Sequence, residues 1–153
     1  MKTLILGLGN PILCDDGIGH YIAQKLEVMI DRQNVQVKQA SISGFDFLEL
    51  LKGYDRAIII DAIKTHNGKV GDIYRLEPAA FDKTKHETSA HHVNFATVLE
   101  LGKRLGIPLP HEIVIYAIEV DDVNSFRESC TPTVAGTIPK AVNMIMEDLA
   151  KAD

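Results

Sequence analysis

Two stretches of this chain, TLILGL (3–8) and RAIIIDA (56–62), are largely apolar but lack the every-second-residue alternation of a half-exposed strand. Such runs suit strands covered on both faces, and covering both faces takes helices above and below a sheet. The rest of the pattern supplies them. Ile18, Ile22, Leu26 and Met29 recur at helical spacing, which predicts a helix from Asp16 to about Asp31. NVQVKQA (34–40) alternates as a strand, and GFDFLELLKG (44–53) reads as a short helix between glycines. GDIYRLEP (71–78) reads as a more exposed strand at an edge, and the polar, aperiodic segment 79–90 as loop. VNFATVLELGKRLG (93–106) is a helix stopped by Gly106, EIVIYAIE (112–119) a strand, and 120–130 a polar loop. The last helix opens at TPT, with Thr131 as cap and Pro132 in its first turn. Its buried stripe is Val134, Ile138, Val142, Ile145 and Leu149, and Pro139 inside that stripe predicts a kink or a restart. Strands alternating with helices define an α/β fold: a single domain over 1–153 in three layers, with a mainly parallel sheet and helices on both faces.

In such sheets ligands sit beyond the carboxyl ends of the strands. That rule selects residues 9–16, 61–68 and 119–125, and any loop reaching over them. The first of these is a Gly-rich turn, GLGNPILCDDG (7–17), of a kind that often holds phosphate. A dinucleotide fingerprint would need a third glycine where Ile12 stands, and a P-loop would need Gly-Lys-Ser/Thr, which is absent. Asp15 and Asp16 would also repel a phosphate. A carboxylate at a helix start has a use of its own, since unpaired N–H groups and the helix dipole favour its ionised form. The plainest role for either aspartate is to cap the helix. Asp61, at the mouth of the AIII run, is badly placed for a merely solubilising charge, although a turn or cap residue would also stand there. His91 and His92 open the helix that follows the polar loop. Two carboxylates and an imidazole make an O,O,N set for a divalent transition metal with positions left open. The strand-end rule brings Asp16 and Asp61 together; nothing in the spacing does so for His91.

Bulk properties narrow the function classes. A net charge of −5 gives no electrostatic case for nucleic acid. No apolar run approaches the ~20 residues of a membrane span. The opening MKTLILGLGNP is too short an apolar stretch for a signal peptide, so it reads as a first strand and a cytoplasmic location is expected. Cys14 and Cys130 are the two cysteines, with no CxxC pair and no disulfide framework. Cys14 lies in the turn without an identifiable base, and reads as a small apolar residue rather than a nucleophile.

Taken in order, LGLGNPILCDDGIG, AIIIDAI, SAHHVNFATVLEL and TPTVAGTIPKAV resemble the endopeptidases that mature nickel–iron hydrogenases, over nearly the whole chain. The resemblance implies a twisted sheet of about five strands between helices. It implies an endopeptidase that removes the C-terminal extension of a hydrogenase large-subunit precursor, with nickel as the recognition element. Asp16, Asp61 and His91 match the family's metal-binding positions; Asp16 and Asp61 are also the candidates for the bond-breaking chemistry, through a metal or as a general base. Asp15 matches the motif but not the ligand position, and His92 is the extra histidine. The resemblance further implies that nickel arrives with the substrate, so that none is held tightly by the isolated protein. The partner is the large-subunit precursor; no nucleic acid or membrane partner is expected, and a monomer is. One departure stands out: QASISG (39–44) keeps Gly44 but lacks the Asp-Gly-Gly-Thr-like stretch common in the family, which bears on which hydrogenase is processed.

Two other functions fit parts of the sequence. GLGNP after a first strand also begins bacterial-type peptidyl-tRNA hydrolases, but their Thr-Arg-His-Asn-like stretch is absent, and His20 falls inside the helix instead. A non-proteolytic checkpoint for nickel loading would need the same ligands without cleavage.

Overall fold

The computed structural model describes residues 1–41, 45–84 and 94–151. Among them, five strands form one sheet: β1 (Thr3–Leu8), β2 (Val35–Ala40), β3 (Arg56–Ile63), β4 (Ile73–Leu76) and β5 (Glu112–Glu119). Their order is β2-β1-β3-β5-β4. All neighbours run parallel except β4, which pairs antiparallel with β5 at the edge. Six α-helices complete the described chain: α1 (Ile18–Met29), α2 (Phe45–Leu51), α3 (Pro78–Thr84), α4 (Phe95–Arg104), α5 (Pro132–Ala135) and α6 (Ile138–Lys151).

The unalternating runs behave as expected. In β1, Ile5 packs under α1 and α6, while Leu4, Leu6 and Leu8 pack under α2 and α4. In β3, Ile58 and Ile60 face the first layer and Ile59 and Ile63 the second. Ile58, Ile59 and Ile60 are each 0% exposed, so truncating any one to alanine should cost about 2–5 kcal/mol. The chain leaves β1 for β2 on one side and returns to β3 on the other, so the connections diverge between β1 and β3. Crevices at such switch points, outside the carboxyl ends of the strands, are where ligands bind in open α/β sheets.

Three local expectations need correction. Pro78–Thr84 is helix α3, not loop. Its seven residues hold one core anchor, Phe81, wedged beside Phe95 with ring centroids 5.2 Å apart; a single anchor leaves no period to read. The helix after the Gly-rich turn starts at Ile18, not Asp16, and one 3-10 turn over Cys14–Gly17 precedes it. Thr131 stands at the cap position of α5 without capping it. Pro139 marks a restart: α5 ends at Ala135 and α6 begins at Ile138.

Candidate active site

The glycines of the turn bring a helix down onto the sheet. A Cβ on Gly7 would collide with the Gly19 carbonyl, and one on Gly19 with the carbonyls of Leu8 and Ile60. The start of α1 therefore rests directly on the backbones of β1 and β3, at the switch point. Gly9, with φ +119°, turns the chain against the Asp16 carbonyl, where a side chain would not fit.

The adjacent aspartates have different surroundings, and neither caps α1, whose N-cap is Gly17 without a side-chain bond. Asp15 is fully buried. Its carboxylate accepts the backbone N–H groups of Asp121 (3.0 Å), Asp122 (3.1 Å) and Thr131 (2.7 Å), and the Thr131 hydroxyl at 2.9 Å. It ties the turn to the loop between β5 and α5. Asp16 is half-buried, and its Oδ2 accepts the Asn10 N–H at 2.9 Å. Asn10 in turn holds the turn through its side chain, which accepts from the Ile12 N–H at 3.2 Å.

Asp61 is the sixth residue of β3, half-buried, with Oδ1 accepting the Ala62 N–H at 2.8 Å. Strand alternation sets it on the face of Ile59 and Ile63, the face that carries α3 and α4. Parallel pairing of β1 and β3 runs to Gly7 opposite Ile60, so Asp61 stands one step further along, level with the beginning of the turn. Asp16 and Asp61 thus share the carboxyl edge at the switch point. The third expected ligand, His91, and its neighbour His92 lie outside the described residues, as do Ile42, Ser43 and Gly44 of the departing stretch. The described flanks of the histidine segment are joined: Asp82 of α3 accepts the N–H groups of Phe95 (3.1 Å) and Ala96 (2.9 Å) at the start of α4. Among the described residues, no three His, Cys, Asp or Glu side chains form a metal-binding group.

Other acidic and thiol groups at this edge are engaged in structure. Glu119, at the end of β5, is 3% exposed and accepts from the Thr65 N–H (2.8 Å), the Thr65 hydroxyl (2.6 Å) and the Tyr74 hydroxyl (2.9 Å). It anchors the loop after β3 and was legible only as one of several strand-end candidates. Burial, then the charges of Asp15 and Asp122, pushes the Cys14 thiol up. Burial, then Asp15 and Cys14, pushes Cys130 up to about 12. Neither supplies a thiolate at neutral pH. His20, which a peptidyl-tRNA hydrolase reading would need, is 6% exposed, with Nε2 2.8 Å from the Gly9 carbonyl and Nδ1 3.2 Å from the Gln39 side chain. It packs the turn against the end of β2, where the Ser41 hydroxyl also donates to the Gly9 carbonyl at 2.6 Å.

Fold and site define a doubly wound α/β protein with two half-buried carboxylates at its switch point. Comparison with known proteins makes the class a peptidase. The family model described as hydrogenase maturation protease matches residues 20–148. The hydrogenase 2 maturation protease of Escherichia coli is 27% identical, over 99% of this chain and 93% of its own length. The structure of the E. coli hydrogenase maturating endopeptidase HybD covers 99% of this chain and 94% of its own, with a TM-score of 0.85 at 26% identity. A hydrogenase maturation protease HybD from Thermococcus kodakarensis covers 98% of this chain and 99% of its own, with a TM-score of 0.70 at 28% identity. The chain belongs to the hydrogenase maturation protease family and is a hydrolase of the endopeptidase kind. The family match begins at His20, after the Gly-rich turn; the full-length similarities include the turn.

Proposed function

We propose that this chain removes a C-terminal extension from a nickel-loaded hydrogenase large-subunit precursor, and that Asp16, Asp61 and His91 read the nickel as the sign that the substrate is ready. The observation that carries this is the pair of half-buried carboxylates at the switch-point crevice, each oriented by a backbone N–H of its own segment. Ionised, fixed oxygens suit a divalent cation with open positions, and the imidazole would complete a set that leaves room for the substrate's own ligands. The nickel belongs to the substrate. Its capture fixes the register of the peptide in the crevice. A carboxylate there can then take a proton from the attacking water, which adds to the scissile carbonyl; the proton passes to the leaving amine as the peptide bond breaks. Family membership supports the proteolytic reading over a checkpoint that does not cut.

The test is a mobility shift of a large-subunit precursor on a gel, with and without nickel loading. Cleavage restricted to the loaded precursor is expected, and cleavage indifferent to nickel would overturn the recognition role. A second measurement follows from the substrate origin of the metal. Protein purified through a chelator should carry far less than one nickel per chain, and should still cut loaded precursor without added metal.

A further inference from the structure

Asn10 follows β1 closely and spends three of its polar groups inside the Gly-rich turn. Its backbone N–H donates to Asp16 Oδ2 at 2.9 Å, its carbonyl accepts the Leu13 N–H at 3.1 Å, and its side-chain Oδ1 accepts the Ile12 N–H at 3.2 Å. An asparagine carries one polar group more, the Nδ2 amide with two N–H donors. Among the described residues, nothing accepts from it. The residue is half-buried. With Oδ1 aimed at the Ile12 N–H, the planar amide aims Nδ2 away from that bond.

The chain is clamped on both sides of this side chain. Before it, the Gly9 carbonyl lies 2.8 Å from His20 Nε2 and accepts the Ser41 hydroxyl at 2.6 Å. After it, Pro11 disfavours a helical backbone at Asn10, and the Pro11 carbonyl accepts the Tyr21 hydroxyl at 2.7 Å. A donor held on so fixed a backbone is preorganised: it need not reorient when charge develops in front of it. Aspartate would close the same turn. It would offer no N–H, and it would set a second carboxylate against Asp16.

Proximity to Asp16 selects the atom that Nδ2 meets. When a carboxylate of the Asp16–Asp61 pair takes a proton from the attacking water, the scissile carbonyl lies about 3 Å from that water. The Asn10 backbone touches Asp16 Oδ2, so the carboxamide of the same residue stands beside that carbonyl. We propose that Asn10 is a catalytic residue whose Nδ2 donates a hydrogen bond to the scissile carbonyl and stabilises the oxyanion. The proposal rests on the proteolytic reading above. As water adds, its proton goes to the carboxylate and the C=O π pair moves onto the carbonyl oxygen, where the Nδ2 N–H meets the charge. The pair returns as the C–N bond breaks, and the proton leaves with the amine.

The test is steady-state cleavage of nickel-loaded precursor by the full chain, with melting temperatures measured in parallel. Asn10→Asp keeps the acceptor for the Ile12 N–H and removes the donor; Asn10→Ala removes both without adding charge. Each should lower kcat about a hundredfold or more, the scale for losing one oxyanion donor, with KM within about threefold. Asn10→Asp should also keep the wild-type melting temperature. A second substrate, ligated so that the scissile amide is a thioamide, separates direct from indirect action, because sulfur is a poor acceptor. Wild type should lose far more on the thioamide than either variant does, a non-additivity that marks a direct contact. Equal thioamide losses in wild type and variants would mean that Asn10 acts through the turn, and would overturn the proposal. If wild type cuts and both variants keep their kcat, the amide has no such role while the protease reading stands. If wild type does not cut the loaded precursor, both fall.

Discussion

Asp15 and Asp16 are adjacent in the chain and opposite in circumstance. The Asp15 region is a knot in which one buried carboxylate gathers three backbone N–H groups and a hydroxyl from a loop more than a hundred residues away. The Asp16–Asp61 region is a crevice in which each carboxylate is steered by a local N–H and stays half-open to solvent. A buried acid so fully bonded contributes to folding and has little capacity left for a ligand. Fixing the first acid lets the second be presented without itself having to hold the structure together.

The sharpest way to break this contrast is to exchange the roles by mutation. Asp15→Ala strips the acceptor from three backbone donors and should cost on the order of 3 kcal/mol or more, read as a lower denaturant midpoint at an unchanged m-value. Loss of cleavage in that variant would follow loss of fold. Asp16→Asn should do the reverse, moving stability by no more than about 0.5 kcal/mol and lowering cleavage of loaded precursor by about a hundredfold or more. Asp61→Asn is expected to match it. An Asp16→Asn protein that cuts normally would return Asp16 to a structural part like its neighbour's.

Acid titration sharpens the same comparison on another part of the molecule. Asp148 on α6 accepts from Arg56 at 2.6 Å, Arg75 at 2.8 Å and the Tyr116 hydroxyl. Burial alone would raise its pKa, but the bonds from Arg75, Tyr116 and Arg56 outweigh burial and hold it below the usual carboxylate range. A group depressed in the folded state contributes stability that is complete above its unfolded value, near ~3.9, and is lost as pH falls through the folded value. The melting temperature should therefore drop below about pH 4, and Asp148→Asn should show a shallower drop from a lower starting point. His92→Ala should have the smallest effect, within about twofold in cleavage, whereas His91→Ala should resemble Asp16→Asn. Equal losses at both histidines would remove the assignment of the ligand to His91.

The strands and the sheet's mainly parallel character were legible because they depend on local pattern, long unalternating runs, and Asp16 and Asp61 stood out as acids near the carboxyl ends of two such runs. Phe81 and Asp15 were not. Helix α3 is stabilised by packing of one phenylalanine onto Phe95, a partner fourteen residues on, and propensity in a seven-residue stretch does not reveal it. The backbone N–H groups that Asp15 gathers lie 106 to 116 residues away in sequence, and no spacing rule reaches that far. Read from the residues alone, Asp15 and Asp16 are alike potential caps; the resemblance assigns the ligand position to Asp16, and the bonds of Asp15 to the distant loop supply the physical difference.

The glycine contact between α1 and the sheet has a mechanical consequence. With no side chain between Gly7 and Gly19, the two backbones touch, and the thickness of the joint is set by main-chain atoms alone. A single methyl at either position would act as a shim, lifting the front of the helix away from β1 and β3. Asp16 is bonded to the turn that leads into that helix, while Asp61 is fixed in the strand beneath. The glycine pair is thus a gauge block: it sets the height of the Asp16 turn above the strand that carries Asp61, and with it the size of whatever the two carboxylates can grip.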